Sequence, residues 1–297
     1  MLDSLGGLSD LVRPGARVGI KPNLTGGTWG DSSLPAPATE LFATHPIVVQ
    51  VLAELIIDAG ASQVFIMDGL GDPAIFSAWG YEAIAKPLGA KLIDLCLPAP
   101  YPGYFRFPVG EKHSIYETFA LNGVFNELDV FISLAKMKTH STTGVTLALK
   151  NLIGIAPTSE YRRDPMHNHR SGFHESSEFD RRLPRVVVDL NLARPVHLAL
   201  IDGIITADGG AGSWDSGYGQ ARPGLLIASK NPVAADAVAT AVMGFDPRSE
   251  SGTKPFSYAD NHISLAHEAG LGTNLLSEIG IKGTGIQEAS FPFRLPR

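Results

Sequence analysis

Cysteine is almost absent from this chain, because Cys96 is the single cysteine among 297 residues. One thiol cannot form an internal disulfide, and it cannot hold an iron–sulfur cluster or a thiolate zinc site. Cys96 lies in the apolar run 91–97, which indicates a small core residue more than a catalytic nucleophile. The sequence therefore argues against an iron–sulfur cluster in this chain.

Long apolar runs and an excess of positive charge are also missing. No stretch reaches the roughly 18 apolar residues that a membrane helix needs, and residues 1–15 show no signal-peptide pattern. The formal net charge of −6 argues against wrapping nucleic acid, although a local basic cluster can still bind a small anion. We expect a cytoplasmic protein without a membrane or nucleic-acid partner. The sequence leaves two alternatives open. One is an exported form, if the sequence is part of a longer chain, and the other is an oligomer.

Several familiar catalytic motifs are missing as well. The chain has no Walker loop, no Gly-x-Gly-x-x-Gly between a first strand and helix, and no Gly-x-Ser-x-Gly elbow. The glycine-rich segment 203–212 has no recognised phosphate-loop order, and it fits either an anion-binding backbone nest or a flexible turn. No common nucleotide-binding or serine-hydrolase chemistry follows from these motifs.

What the sequence does contain is an alternation of strands and helices. Apolar runs predict strands over 17–20, 63–67, 91–97, 129–134, 197–201 and 224–229. Helical spacing predicts helices over 46–60, 74–88, 143–153, 231–243 and 261–269. This order predicts an α/β fold with a mostly parallel sheet, crossover helices and a hairpin or loop excursion near 98–121. We expect a single α/β domain over 1–297, or two lobes, about 1–156 and 185–297, joined by the His-rich loop 157–184.

Polar residues follow most of the predicted strands. In open α/β sheets, ligands bind outside the carboxyl ends of the strands. If the strands are parallel, the polar residues that follow them meet at one edge: Lys21, Asn23, Asp68, Lys136, Lys138, Thr139, His140, Asp202, Lys230 and Asn231. Each of them alone also fits a turn or a solvated surface. Their convergence predicts a site for a small anionic molecule, with lysines as point charges.

A second polar feature is the segment 157–185, which has little apolar periodicity. It contains three histidines, His167, His169 and His174, together with Asp164 and Glu175. His-x-His in extended backbone points both rings to one side, which is compatible with zinc, manganese or iron. The alternative is an exposed loop that happens to be rich in histidine. If it binds metal, the segment is expected to act as a lid over the strand-end site.

Five blocks of the sequence together resemble one protein family. They are the segments 21–24, 44–46, 138–151 with its Lys-Thr-His start, 201–203, and 231–239. In combination they are similar to the domain of unknown function 362 family over about residues 5–280. The resemblance implies an α/β fold and no established reaction. Many relatives carry added ferredoxin-like cysteines, and with Cys96 alone that role cannot be transferred.

The resemblance supports nine site residues, some of which position had already indicated: Lys21, Asn23, His45, Lys138, His140, Lys150, Asn151, Asp202 and Asp236. Combining both arguments, we expect catalytic roles for His140, Asp202, Asp68 and Lys138. Substrate binding is expected from Lys21, Asn23, His45, Lys136, Lys150 and Asn151. A divalent metal is expected at His167, His169, His174 and Asp236. His45 also fits a simple helix cap.

Two functions are compatible with these residues. The first is an enzyme acting on a small anionic substrate, assisted by a divalent metal. The second is a non-catalytic binding or accessory protein of a redox or cofactor pathway. For the anion site, we expect Lys21→Ala and Lys138→Ala to weaken anion binding without unfolding the protein.

Overall fold

The computed structural model of the chain describes residues 1–162, 172–174 and 179–296, with the side chains of 179–181 left aside. Its strands are β1 Arg17–Lys21, β2 Gln63–Asp68, β3 Lys91–Asp94, β4 Tyr104–Pro108, β5 Thr118–Asn122, β6 Val130–Lys136, β7 Lys138–His140, β8 Gly144–Thr146, β9 Leu198–Gly203, β10 Thr206–Asp208, β11 Gly219–Ala221 and β12 Leu225–Ser229. Its α-helices are α1 Pro46–Asp58, α2 Ile75–Ala78, α3 Tyr81–Leu88, α4 Ala148–Asn151, α5 Thr158–Tyr161, α6 Phe179–Ala193, α7 Pro232–Val242 and α8 His262–Glu268.

A six-stranded sheet in the order β12-β9-β6-β1-β2-β3 organises the fold. In this order, all neighbouring strands from β9 across to β3 are parallel. Strands that precede residue 162 and strands that follow residue 179 both join this sheet. The hairpin β4–β5 forms the expected excursion beside it. The predicted α/β class with a mostly parallel sheet is therefore confirmed.

Alternating side chains of the central strands feed two apolar layers, one on each face of the sheet. In β6, Phe131 joins one layer, whereas Val130, Ile132 and Leu134 join the other. Helices α1 and α3 cover the second layer, and α6, α7 and α8 cover the first. A strand buried on both faces reads as a continuous apolar run, which is why periodicity alone located these strands.

The edge strand β12 runs antiparallel to β9. Its carboxyl end therefore lies at the opposite edge from the carboxyl ends of the parallel strands. Lys230 instead forms an ion pair with Asp10 at 2.7 Å, and the Asn231 side chain caps α7 by accepting from the Ala234 N–H. The expectation that Lys230 and Asn231 join the strand-end site was wrong, because it assumed that every strand was parallel.

The predicted helix over 143–153 is also wrong in its first half. Lys138–His140 and Gly144–Thr146 form an antiparallel hairpin, and α4 begins only at Ala148. Gly144 has φ of +73°, and a side chain there would collide with the Pro255 carbonyl. The turn before Gly144 therefore suits a hairpin and not a helix. The hairpin brings Lys138 and His140 beside the short helix that carries Lys150.

Helix α1 was predicted correctly, but its buried face differs from the expected apolar positions. Val49, Leu52 and Ile56 are buried, whereas Val51 and Leu55 are 49% and 44% exposed. The helix is apolar on nearly every side, so spacing alone could not select the face that meets the sheet. The predicted helix over 74–88 is divided into α2 and α3 at Gly80, which has φ of +81°. Within the described ranges no helix is long and apolar enough to span a membrane.

Candidate functional site

Polar side chains gather at the carboxyl ends of β1, β2, β6 and β9, and we call this group the strand-end cluster. Its members are Lys21, Asn23, Asp68, Lys136, Lys138, His140, Lys150, Asn151 and Asp202. All of them are buried except His140, which is half-buried. Parallel strands align their carboxyl ends, and the hairpin β7–β8 and helix α4 add the remaining members. The structure therefore brings together most of the residues that the strand-end argument selected, without Lys230 and Asn231, and adds Lys150 and Asn151, which the family resemblance had indicated.

The first pair in the cluster is Lys21 with Asp68. Lys21 Nζ lies 2.6 Å from Asp68 Oδ1 and also donates to the Pro22 carbonyl and to Asn151 Oδ1. The Asp68 carboxylate accepts backbone N–H bonds from Leu24 at 2.7 Å and from Gly69 at 2.8 Å. Burial raises the pKa of Asp68 and lowers that of Lys21. The charge of each residue partly offsets the pKa shift of the other. Both charged groups are therefore already engaged in an ion pair and in hydrogen bonds within the protein.

The second pair is Lys136 with Asp202, at the ends of β6 and β9. Lys136 Nζ donates to Asp202 Oδ2 at 2.8 Å and to the Thr39 carbonyl at 2.9 Å, and burial lowers the pKa of Lys136. Asp202 accepts backbone N–H bonds from His45 and Ile204. The His45 ring accepts from the Ile47 N–H and so caps α1, which is the simple alternative left open for this residue.

Asn151 and Asp236 hold helix α4 in place. Asn151 Oδ1 accepts from Lys21 Nζ and from Asn23 Nδ2, and its amide donates to the Lys21 carbonyl and to Ser133 Oγ. Asp236 accepts from the N–H groups of Ala148 and Leu149 at 2.8 and 2.9 Å. Burial raises the pKa of Asp236 to about 7 in spite of these two bonds. Both side chains therefore position the helix from which Lys150 projects.

Lys138 and Lys150 are left without a carboxylate partner in the described part of the chain. Lys138 Nζ donates to the Phe42 carbonyl at 2.7 Å and lies 5.9 Å from the centre of the Phe42 ring. Lys150 is only 7% exposed, yet its ammonium has no hydrogen bond or ion pair there. Burial lowers the pKa of Lys138 well below its usual range. Burial, with the charge of Lys21, lowers the pKa of Lys150 to about 7.

Two histidines lie beside these lysines. Nδ1 of His140 accepts from the N–H groups of Thr142 and Thr143 at 3.0 and 3.3 Å, so in the neutral ring the proton sits on Nε2. Burial, together with the nearby charge of Lys150, holds the pKa of His140 well below its usual range. His140 therefore stays neutral near pH 7 and offers Nε2–H as a donor.

Sequence reasoning missed His262, the first residue of α8. The ring is fully buried, and neither of its nitrogens has a hydrogen-bond partner among the described residues. Burial and the charge of Lys150 lower its pKa to about 3. The sequence signal for this residue was weak. Asn261 is a residue type typical of a helix cap, so it indicated only that His262 lies at the start of a helix.

The glycine-rich segment 209–218 joins β10 to β11 beside the cluster. Asp215 Oδ2 accepts from the Ala211 N–H at 2.6 Å, and the Trp214 ring lies 5.6 Å from that of Phe42. The negative charge of Asp215 partly offsets the lowered pKa values of Lys138 and Lys150. The segment is therefore built around one internal carboxylate that lies near the two unpaired lysines.

The expected metal site is placed only in part. His167 and His169 lie outside the described residues, and the His174 ring lies 5.9 Å from that of His140. Both Asp236 oxygens already accept hydrogen bonds from the first N–H groups of α4, and Asp236 is distant in sequence from these histidines. In the ranges that the structure describes, no group of three or more His, Cys, Asp or Glu residues is arranged to hold a metal ion. Metal binding at these four residues stays a prediction.

Gly154 allows the Lys21–Asp68 pair to form. A Cβ at this position would lie 2.8 Å from Lys21 Nζ and closer still to Asp68 Oδ1. We expect Gly154→Ala to lower the free energy of unfolding by about 1–3 kcal/mol, because the extra methyl group displaces a buried ion pair. Urea denaturation measures this change. Gly103→Ala is the control, since its Cβ meets no atom within 4 Å. Equal stability of the two variants would contradict the expectation.

Comparison with known proteins agrees with the motif resemblance. A thylakoid-associated protein of Synechocystis sp. is 28% identical, over an alignment that covers 100% of this chain and 85% of that protein. The lactate racemase apoprotein from Thermoanaerobacterium thermosaccharolyticum gives a TM-score of 0.42 at 16% identity, covering 68% of this chain and 45% of the other. This chain thus spans less than half of that structure, and no shared activity follows from so low a score. Residues 18–241 match the domain of unknown function (DUF362) family, and the chain belongs to that family.

Proposed function

We propose that this protein is an enzyme that binds a small anionic substrate at the strand-end cluster, with Lys138 and Lys150 holding the anion. The observation that carries the proposal is the presence of two buried lysines without a carboxylate partner in the described ranges. A phosphate or carboxylate group would supply the missing negative charge. The acidic members of the cluster cannot do so, because each is committed to another lysine.

The charge balance of the cluster supports an anionic ligand. Asp68 and Asp202 neutralise Lys21 and Lys136, and at most 4% of the surface of any of these four side chains is exposed. An unpaired buried ammonium costs several kcal/mol unless it loses its proton or gains a partner. A bound anion would therefore stabilise the charged forms of Lys138 and Lys150 and raise the pKa of both.

Groups suited to proton transfer surround the same place. A general acid or base works best when its pKa lies close to the operating pH, and the pKa of Lys150 is about 7. The Nε2–H of His140 provides a neutral donor that the fold has already oriented. A cluster of shifted pKa values in buried groups is more typical of an active site than of a simple carrier. This supports the enzyme over the non-catalytic alternative.

Titration calorimetry with inorganic phosphate and with acetate tests the anion site. We expect Lys138→Met and Lys150→Met each to weaken the affinity by roughly tenfold or more, equivalent to about 1.4 kcal/mol. Binding should also take up protons, because the anion raises the pKa of Lys150. Lys230→Met is the matched control, since Lys230 pairs with Asp10 at the other edge of the sheet. Wild-type affinity in both cluster variants would overturn the proposal.

The affinity should also depend on pH in a defined direction. Lys150 binds the anion as an ammonium, so the affinity is highest below about pH 7 and falls as pH rises through the pKa of the free site. The charged groups coupled to Lys150 are Lys21, Asp215 and Lys138, and the lowered pKa of Lys138 acts on the affinity in the same direction. His140 and His262 remain neutral throughout this range. An affinity that rises from pH 7 to pH 9 would contradict the assignment of Lys150 to the anion.

A further inference from the structure

The amine of Lys150 differs from the other lysines of the strand-end cluster in its surroundings. It lies under the influence of the Lys21 charge, and the rings of His140 and His262 lie close enough to feel its own charge. In the part of the chain that the structure describes, no oxygen accepts a hydrogen bond from its Nζ. Lys21, by contrast, has three acceptors, and Lys136 has two. Lys150 Nζ alone among these three can keep a free lone pair without breaking a bond.

Resting on the proposed anion site, we propose that Lys150 forms an imine with the carbonyl carbon of a 2-oxo acid whose carboxylate is held by Lys138. Lys138 is anchored by the Phe42 carbonyl, and it pairs across the hairpin β7–β8 with Thr146, which precedes the helix that carries Lys150. The charge of Lys150 also contributes to the lowered pKa of Lys138. A 2-oxo acid carries its carboxylate one bond away from an electrophilic carbon. Two neighbouring lysines with different tethers match that pair of groups.

The reaction is balanced without an oxidant or a reductant. The neutral Lys150 amine attacks the carbonyl carbon, a C–N bond forms as the C–O π bond breaks, and a proton passes from the nitrogen to the oxygen to give a neutral carbinolamine. That hydroxyl group takes up one proton from solvent, and the remaining C–O bond breaks to release water. The protonated imine carries the positive charge of that proton. The carboxylate beside Lys138 stabilises this charge. The Nε2–H of His140 is available to donate a hydrogen bond to the departing oxygen.

Burial prepares the amine for this step. Desolvation and a neighbouring cation favour the neutral amine, which is how lysine nucleophiles are activated in apolar sites. With a pKa of about 7, roughly half of Lys150 is unprotonated at neutral pH, compared with less than about one part in a thousand for an ordinary lysine. An exposed lysine of this chain, such as Lys282, has no such advantage.

Reductive trapping tests the inference. The full-length protein is incubated at neutral pH with pyruvate and sodium cyanoborohydride, and the modified lysine is located by peptide mass spectrometry. We expect one adduct per chain on Lys150, formed at least about tenfold faster than on any other lysine. Acetate, which has a carboxylate but no carbonyl group, should slow the labelling by competing for Lys138. In Lys150→Arg the adduct at position 150 should disappear, while the slow background labelling of exposed lysines such as Lys282 should not change.

The outcomes separate this inference from the proposed function. Acetate binding without a Lys150 adduct would overturn the imine and leave the anion site standing. Loss of both would overturn both. An adduct on Lys150 that acetate does not slow would overturn the role of Lys138 in holding the carboxylate. The competition experiment uses the unaltered protein, so it decides the question even if Lys150→Arg fails to fold.

Discussion

Replacing Lys21 with methionine is expected to destabilise the protein by about 3–5 kcal/mol, because it leaves the Asp68 carboxylate buried without its partner. Asp68 keeps two backbone N–H donors, from Leu24 and Gly69, but loses the only cation within 4 Å in the described ranges. Asn151 would also lose a donor to its side-chain oxygen. The measurement is the free energy of unfolding in urea at neutral pH.

A second substitution checks the cause of this loss. In Lys21→Met/Asp68→Asn the buried charge is gone and an amide oxygen still accepts from the backbone, so a large part of the stability should return. Lys230→Met is the matched control, since its pair with Asp10 is exposed to solvent and should contribute far less to stability than the buried pair. If Lys21→Met and Lys230→Met cost the same, the buried pair does not have the structural role assigned here.

This result would also correct an expectation from the sequence. Lys21→Ala was expected to weaken anion binding without unfolding the protein. All the hydrogen bonds found for the Lys21 ammonium go to the fold itself, so its removal should act on stability first. Lys138 is different, because its ammonium has a single backbone acceptor and no carboxylate in the described part of the chain. The original expectation therefore remains for Lys138 and is withdrawn for Lys21.

Replacing Lys150 with methionine is expected to have the opposite sign and to stabilise the protein at neutral and acidic pH. The pKa of Lys150 falls from 10.5, its ordinary value, to about 7 in the folded chain. Every tenfold weakening of proton binding corresponds to about 1.4 kcal/mol, so burying this ammonium costs on the order of 5 kcal/mol at pH 7 and below. Methionine fills similar space without that cost, and the stability gained comes with loss of anion binding.

The pH dependence of the gain identifies its source. Between about pH 7 and 10.5 the unfolded chain holds a proton at Lys150 that the folded chain has released, so wild-type stability rises with pH relative to the variant. The gain from Lys150→Met should therefore be constant below pH 7 and shrink toward zero as pH approaches 10.5. Urea unfolding across this range measures it. Lys282→Met, at an exposed position, should stay within about 0.5 kcal/mol at every pH. A gain that does not change with pH would show that packing, and not charge, is responsible.

Much of the fold could be read from local patterns. The continuous apolar runs of β6 and β9 and the Pro46 start of α1 were enough to locate these elements. The strand-end residues Lys21, Asp68, Lys136 and Asp202 followed from one rule about parallel sheets. These features depend on a few neighbouring residues, which is why they are visible in a single sequence.

The direction of β12 and the hairpin over 138–146 could not be read in the same way. The sequence of β12 is as apolar as that of a parallel strand, and its direction is set by how the chain returns to the sheet after the hairpin β10–β11. Residues 143–147 have helical spacing, but contact with the segment at Pro255 leaves room only for a glycine turn. Tertiary contacts overrode local preference in both places.

Local order along the chain thus decided that lysines, aspartates and histidines would meet at one edge of a parallel sheet, since apolar strands place whatever follows them there. It could not decide which of those groups would neutralise each other. Four lysines and two aspartates have many possible pairings, and the pKa of each depends on distances and burial that arise only in the folded chain. Packing joined Lys21 to Asp68 and Lys136 to Asp202, and it brought His262 in from α8. Lys150 was left buried and unpaired in the described ranges because Asp236 and Asn151 hold α4 where no carboxylate reaches its amine.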